Sequence, residues 1–594
     1  MSSSTGKPAL GGVPSRLRRL LLVSWFFLEH VLGSAHAWWG ICLCCAGILT
    51  YAARYSMNPD GLTYLDLASE VVSGGPSKLV NGLWSPGYPA LISVAILLFR
   101  PSSAQEFPLI HFVNFLMFVF ALTGFSVFLR YSLKTMSDDA AVNESKNTYF
   151  KPFAFSTFLL FTLKYIGVEV ATPDLGVAAI VFLAAGISCR LYLPDPSWKH
   201  FLALGLVLGV GYYFKAAVLP LGVALLALLF LLLPLSKKHI SRQKLVLSLL
   251  LSLSVFLLVS APLVAALSFR ANTLSFGEAG RLNYAWHVNR LLWTGGQEPP
   301  EENTTLEHPA RKLLTTPMTL EFATPISGTY PIWYDPSYWY AHAIARFDVR
   351  QQIAALILSW RVYKSTMEET MAYTAGAIVL LVLGDYKRRN IVIAIARKLW
   401  WQLLWAFVAC SMFALVHVEP RYVGAFLVLF WVALYGALLP GVERRVKFAV
   451  LATVLCTVIV PFLGYVAMTS MRIARDLAHP KLPEYQTAGV GLSDLGLQKG
   501  DRLAVVGYAY NCYYARFARL RVVAQIPDTK EFWRLSTAEL KVVTERLASI
   551  GVKAVVASNG PDTPGLAEWK DVQVSDSLRL RVLLLSPDVL GKIH

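Results

Sequence analysis

YPALISVAILLF, residues 88–99, is the run on which the topology of this chain turns. Counted as a membrane span, it inverts every segment after it. Its apolar run is about a dozen residues, short of the roughly 20 that a 30 Å hydrocarbon core requires, so length predicts a re-entrant or interfacial helix. Around it the sequence predicts about eleven true spans, near 37–54, 108–130, 152–170, 174–192, 200–216, 217–234, 245–269, 370–385, 399–417, 422–440 and 447–469. With residues 88–99 left out, every second connection is basic. Arg16, Arg18 and Arg19 come first, then Arg130, Lys134, Lys146 and Lys151, then Arg190 and Lys199. Lys237, Lys238, Arg242 and Lys244 follow, then Lys387, Arg388, Arg389, Arg397 and Lys398, and finally Arg444, Arg445 and Lys447. The positive-inside rule then puts the N-terminus in the cytoplasm and the C-terminal tail outside.

Composition agrees with this reading. The 594 residues are 55% hydrophobic, and Lys and Arg outnumber Asp and Glu by 54 to 37, a net charge of +17. Mean hydropathy is +0.51, which excludes an ordinary soluble protein. The basic connections absorb much of the positive excess, so no nucleic-acid partner is expected. Of 7 cysteines, only Cys512 lies outside the apolar segments, and no disulfide framework follows. RLRRLLLVSWFFL (16–28) followed by AHA (35–37) has the form of a signal peptide. Cleavage there would put the basic connections on the wrong side, so residues 17–30 are read as an interfacial helix and Ala37 as uncleaved.

The chain therefore divides into a cytoplasmic or interfacial N-terminus (1–36), a transmembrane module with a first outer loop at 55–107 (37–270) and a large outer loop (271–369). C-terminal transmembrane helices (370–470) and an extracytoplasmic α/β domain (471–594) complete it. GVGLSDLG (489–496) has the wrong spacing for a dinucleotide loop and precedes the first strand of that domain. The Asn303 sequon is too short a signal to carry an inference.

On this topology the polar residues at membrane depth gather at one side. Asp60 and Asp66 in NPDGLTYLDLASE (58–70), Lys164, Glu169, Asp174, Lys215, His417, Glu419 and Arg421 all map to the outer ends of spans or to adjacent loops. Charges at membrane depth are costly and mark function or pairing. Each also has a plainer reading: Asp60 and Asp174 as helix caps, Lys215 as a snorkelling lysine, and Arg421 as a partner of Glu419. Transporters more often hold their binding groups at mid-depth on broken helices; this pattern describes a reaction face at the interface.

Four features together resemble the GT-C superfamily of integral-membrane glycosyltransferases. They are Asp60 with Tyr64 in the first outer loop, NGLWSPGYP (81–89), the turn in VEVATPDLGVAA (168–179), and GLVLGVGYYFKAAVLPLG (205–222) with its Lys215. The branch resembled holds the lipid A aminoarabinose transferases and protein O-mannosyltransferases, and the match covers roughly residues 35–235. The fold this implies is an α-helical polytopic bundle. The activity it implies is transfer of a sugar, hexosyl or pentosyl, from a polyprenyl-phosphate carrier to a lipid, glycan or protein hydroxyl, with inversion, at the outer face of a plasma (inner) membrane. By the same resemblance Asp60 is the catalytic aspartate, Tyr64 the loop tyrosine, Asp174 the second acidic turn and Lys215 a carrier-phosphate contact. Asp66, in the same stretch, is grouped with the substrate-binding residues. Ser85 stands where relatives have a phosphate-binding lysine, and Arg421 is the candidate replacement. Some relatives hold a divalent metal with outer-loop acids and histidines; the sequence assigns no such ligands here. Tyr284, Trp286, Tyr334 and Trp339 could stack on a sugar or serve as interfacial aromatics. A transporter or flippase of lipid-linked precursors, and a non-catalytic scaffold, are the alternatives.

Overall fold

The computed structural model describes residues 34–136, 143–236, 241–291, 311–322, 328–339, 343–383, 389–440, 442–561 and 569–585. The expected helix at 17–30, the Asn303 sequon and the side chain of Trp339 lie outside what is described.

The bundle is built from α1 (Ala35–Ala53), α2 (Pro59–Gly74), α3 (Gly87–Phe99), α4 (Glu106–Met136), α5 (Asn143–Leu160), α6 (Asp174–Tyr192), α7 (Trp198–Phe214), α8 (Val218–Ser236) and α9 (Arg242–Ala271). After the large loop come α10 (Val349–Glu369), α11 (Met371–Val382), α12 (Arg389–Ala414), α13 (Pro420–Leu438) and α14 (Arg444–Ala478). Seven of these are long and apolar enough to cross a membrane: α1, α4, α6, α8, α9, α13 and α14. The chain is a multi-pass membrane protein. The other four expected spans also fall on helices, but α7 and α11 have only 17 and 12 residues. α5 passes into a π-helical turn at Phe161–Ile166, and only Leu399–Ala414 of α12 is counted as apolar. The count of eleven thus stays an expectation.

The decisive run forms α3, 13 residues long. At 1.5 Å per residue it reaches about 20 Å, too short to cross. Its C-terminal end leaves Leu97, Leu98 and Phe99 exposed, while Ser93 Oγ donates to the Ala68 carbonyl of α2 at 3.2 Å. α3 therefore lies against the first-loop helix.

α6, α7 and α13 each have one end marked by a polar residue of the outer set, Asp174, Lys215 or Arg421, and an opposite end at one of the basic connections. Asp174 opens α6 and Arg190 lies in its last turn; Lys199 is near the start of α7 and Lys215 caps its end. Arg421 sits in the first turn of α13, whose other end leads to the basic start of α14. The polar ends meet at one end of the bundle, where the two loops also lie.

Among the described residues, the tail and part of the large loop form one seven-stranded mixed sheet in the order β1-β2-β4-β3-β5-β7-β6. Strands β3 (Arg502–Val506), β4 (Arg521–Ile526), β5 (Val552–Ser558), β6 (Lys570–Gln573) and β7 (Arg579–Leu584) come from the tail, with a helix α15 (Glu484–Asp494) ahead of β3 and α16 (Thr537–Ser549) before β5. β1 (Arg311–Leu314) and β2 (Thr319–Glu321) come from the large loop, and β2 pairs antiparallel with β4. Loop and tail thus form one sheet, where the sequence suggested two separate segments. Short strands with few apolar residues in a long polar loop give no period to read.

Candidate active site

Three helices begin alike: Asn-Pro-Asp (58–60) at α2, Thr-Pro-Asp (172–174) at α6 and Glu-Pro-Arg (419–421) at α13. Proline suits a helix start because its fixed φ is preorganised there and its missing N–H would have no partner anyway. In each case the next residue is placed in the first turn. Asp60 and Asp174 lie where the helix dipole favours carboxylates, and the same exposed N–H groups favour any anion at that spot.

Glycine and asparagine bring the starts together. A Cβ on Gly61 would lie 2.5 Å from the Cβ of Ala171, so α2 reaches the Thr-Pro-Asp turn only because that atom is missing. Asn58 Oδ1 accepts from the Ala171 N–H at 3.0 Å and ties the two turns. Gly176 likewise makes room for the Phe214 ring, next to Lys215.

The result is one ion network. Lys215 Nζ contacts Asp174 Oδ1 at 2.6 Å, and Asp174 is buried. Arg421 Nε donates to Glu419 Oε2 at 2.5 Å, while its two terminal nitrogens point to Asp174 Oδ2 at 3.5 Å and Asp60 Oδ2 at 3.6 Å. The guanidinium is therefore anchored on one side and loosely held on the other two. Tyr422 places its ring 3.7 Å from Lys215 Nζ and its hydroxyl donates to Glu419 Oε1 at 3.3 Å. His417 Nε2 approaches the same oxygen at 3.5 Å and stacks on His287 of the large loop, ring centroids 3.9 Å apart. Asp60 and Arg421 line an open cleft of about 380 Å³ with Asn58, Tyr165, Val170 and Glu419. Arg421 also borders a water-sized void of about 10 Å³ whose walls include Asp174, Lys215, Tyr422, Leu221 and Phe426.

Burial pushes the Asp60 carboxyl above the usual range; Arg421 and the indole of Trp333 oppose this, while Glu419 and Asp174 add to it. Glu419 moves the other way: burial raises it, but hydrogen bonds from His417 and Arg421 overcome that and hold it below the carboxylate range. Burial, with His417 beside it, brings His287 down to about 4, so its ring is neutral at ordinary pH.

The structure thus brings Asp60, Asp174, Lys215 and Arg421 into one cluster. The capping and pairing readings hold at the same time, since both aspartates start helices and Arg421 pairs with Glu419. Tyr64 is buried just behind, edge-on to Trp84 and Tyr88 with centroids 5.2 and 5.0 Å away. Ser85 is half-buried in the loop before α3, and none of the described contacts joins it to the cluster. Asp66 lies elsewhere. Its carboxylate is buried and accepts from Thr329 N at 2.8 Å, Thr329 Oγ1 at 2.9 Å and Arg516 Nη1 at 2.9 Å. It holds the tail domain and lies outside the Asp60–Arg421 cleft, lining with Arg516 a separate cavity of about 190 Å³; its grouping with the substrate-binding residues stays an expectation. Lys164 pairs with Glu369 at 2.6 Å on the surface. Glu419 was expected only on the polar face and as the partner of Arg421, and Tyr422, His287 and Trp333 were not expected as site residues. The run HVEPRY (417–422) held the signal for the first two, while His287 and Trp333 come from a loop whose path the sequence does not reveal.

A divalent metal does not fit these donors. The carboxylates of Asp60, Asp174 and Glu419 turn to Arg421 and Lys215 rather than to a common centre, and the described residues contain no group of three or more His, Cys, Asp or Glu side chains able to hold an ion.

No family model matches the chain, and no curated protein matches it. Among solved structures it is similar to ArnT from Cupriavidus metallidurans in the apo state, at 14% identity and TM-score 0.40, over 93% of this chain and 99% of that one. The same protein bound to undecaprenyl phosphate gives 14% and 0.38, over 92% and 98%. It is also similar to the archaeal oligosaccharyltransferase AglB from Archaeoglobus fulgidus in complex with an inhibitory peptide and a dolichol-phosphate, at 11% and 0.46, over 87% of this chain and 69% of that one. With TM-scores below 0.5, these neighbours carry no part of the functional reading, which rests on the side chains.

Proposed function

We propose that this chain is a glycosyltransferase that moves a sugar from a polyprenyl-phosphate carrier to an acceptor hydroxyl, with inversion, on the membrane face away from the cytoplasm. The observation that carries the reading is the position of Arg421, whose loosely held fork spans Asp60 and Asp174 while Lys215 closes on Asp174. A phosphate monoester leaving group gains charge as its bond to the sugar breaks. Lys215, Arg421 and the convergent helix starts supply positive potential at that point, and a guanidinium fork suits phosphate oxygens. The side of the membrane follows from the basic connections at the far ends of the same helices.

In the reaction the acceptor oxygen attacks the anomeric carbon as the carbon–phosphate-oxygen bond breaks. Asp60 takes the hydroxyl proton, and the carrier departs as polyprenyl phosphate. A carboxyl whose affinity for protons is raised by burial is a stronger base than an ordinary aspartate, and a well-placed general base contributes about 10² to 10⁴ in rate. Asp174 fixes Lys215, and Glu419 fixes Arg421. A lipid-anchored donor can keep its chain among the helices while its head group enters the cleft. The flippase reading is not favoured, because the cluster lies at helix ends rather than along a path through the bundle.

The test is incubation of the purified protein with a panel of polyprenyl-phosphate sugars, following loss of one by mass spectrometry. Asp60→Asn is expected to lower transfer by about 10² to 10⁴ and to keep carrier binding. Full transfer by this variant would remove Asp60 from the chemistry.

A further inference from the structure

In the tail sheet β3 runs parallel to β4 on one side and to β5 on the other. The chain therefore leaves β3 where the connections diverge, the position at which open α/β sheets bind ligands beyond the C-terminal ends of their strands. The loop there is GYAYNC (507–512), turned by Gly507 at φ +98°. Tyr508 is 42% exposed and stacks with Tyr510, centroids 6.4 Å apart and planes 29° apart. Tyr510 meets Trp333 edge-on at 5.3 Å. Exposed Asn511 accepts from the Tyr513 hydroxyl at 2.9 Å. Trp333 ties this platform to the cleft: its carbonyl accepts from Thr63 Oγ1 on α2 at 3.4 Å, three residues from Asp60, and from Trp84 Nε1 at 3.3 Å.

We propose that Tyr508, Tyr510 and Trp333 form an acceptor subsite that takes a saccharide. This rests on the transferase reading above and names the class of its acceptor. Aromatic faces beside hydroxyl and amide groups match the alternation of C–H faces and hydroxyls on a sugar ring. A peptide held by strand addition would need a sheet edge, and the edges here are β1 and β6, whereas β3 is central.

The full-length protein in detergent is applied to an array of free oligosaccharides, and in a second arm to the same glycans displayed on lipid anchors in nanodiscs. The wild type is expected to bind at least one glycan. Tyr508→Ala/Tyr510→Ala should bind it at least tenfold more weakly, and Tyr508→Phe/Tyr510→Phe within threefold of wild type. Binding only in the lipid-anchored arm would identify the source as a glycolipid head group; binding in both would identify a free or polymeric glycan. Should the double alanine variant fail to fold, Tyr508→Ala alone, at an exposed ring, replaces it. No glycan bound in either arm, or undiminished binding by the alanine variant, overturns the proposal. Undecaprenyl phosphate binding, measured on the same preparations, judges the transferase reading separately: its loss in wild type would remove that reading and leave the saccharide result standing.

Discussion

Arg421 and Arg516 both meet carboxylates of the loop that carries α2, and the contrast between them separates a site from a joint. Arg516 is buried, with every nitrogen at short range: Nη1 to Asp66 at 2.9 Å, Nε and Nη2 to Glu106 at 2.8 Å, and Nη2 to Ser69 at 2.7 Å. Arg519 adds a further bond to Glu106 at 2.7 Å. Its donors are saturated and fasten the tail domain to the first loop, although Arg516 too lines a cavity, of about 190 Å³. Arg421 borders a cleft and has one short bond, its other two ion pairs standing at 3.5 and 3.6 Å. A saturated arginine fixes two surfaces; a partly engaged one at a cleft can exchange a carboxylate for a phosphate.

The comparison breaks if the two arginines behave alike. Arg421→Ala is expected to cut transfer by about 10² to 10³, the usual cost of removing one transition-state donor, with a thermal midpoint close to wild type. Arg516→Ala should instead cost about 3–5 kcal/mol of stability, because it leaves Asp66 buried without its cation and Glu106 with Arg519 alone. Its transfer per folded molecule should hold. Thermal unfolding in detergent beside a transfer assay checks both, and equal loss of midpoint in the two variants would erase the distinction.

A smaller effect is expected at Gly61. Its added Cβ must push α2 away from Ala171, an overpacking cost of about 1–3 kcal/mol, and Asp60 moves with the helix. Transfer should fall roughly 10- to 10²-fold for Gly61→Ala, since misplacement of about an ångström has that order of consequence. Wild-type rates in this variant would show that the spacing of the two turns is not critical.

The smallest expected effect is on pH dependence. Asp60 must be deprotonated to act as a base, and its carboxyl is raised, so activity is present above that raised value and lost as pH falls through it. The acid limb of the rate profile should therefore lie above the ordinary aspartate range. Glu419→Gln removes a charge that raises Asp60 and should move the limb down; Arg421→Gln removes the charge that lowers it and should move the limb up. A limb unmoved in both variants would show that a different group sets it.

Much of the site was legible because its charges cost so much at membrane depth. Asp60, Asp174, Lys215 and Arg421 stand out from apolar flanks, and three of them follow a proline that starts a helix or caps it. Asp66 could not be told from Asp60 in this way. The two lie six residues apart on one helix, a rotation of about 240° around its axis at 3.6 residues per turn, and only the packing decides which faces the cleft. Glu419 was visible as the partner of Arg421, but its role as an anchor depends on a distance. The extra strands β1 and β2, His287 and Trp333 belong to a loop whose path is set by contacts far along the chain, such as β2 on β4 and His287 on His417.

The sequence by itself determined a polytopic helical bundle, the shortness of α3, an α/β tail and the side of the bundle on which the charges gather, since apolar length, charge cost and strand period act locally along the chain. Only the tertiary structure decided that large loop and tail share one sheet, that Asp66 is a fastening, and that Arg421 bridges two helix starts. Those outcomes depend on close approaches between residues more than a hundred positions apart, and local chemistry does not specify them.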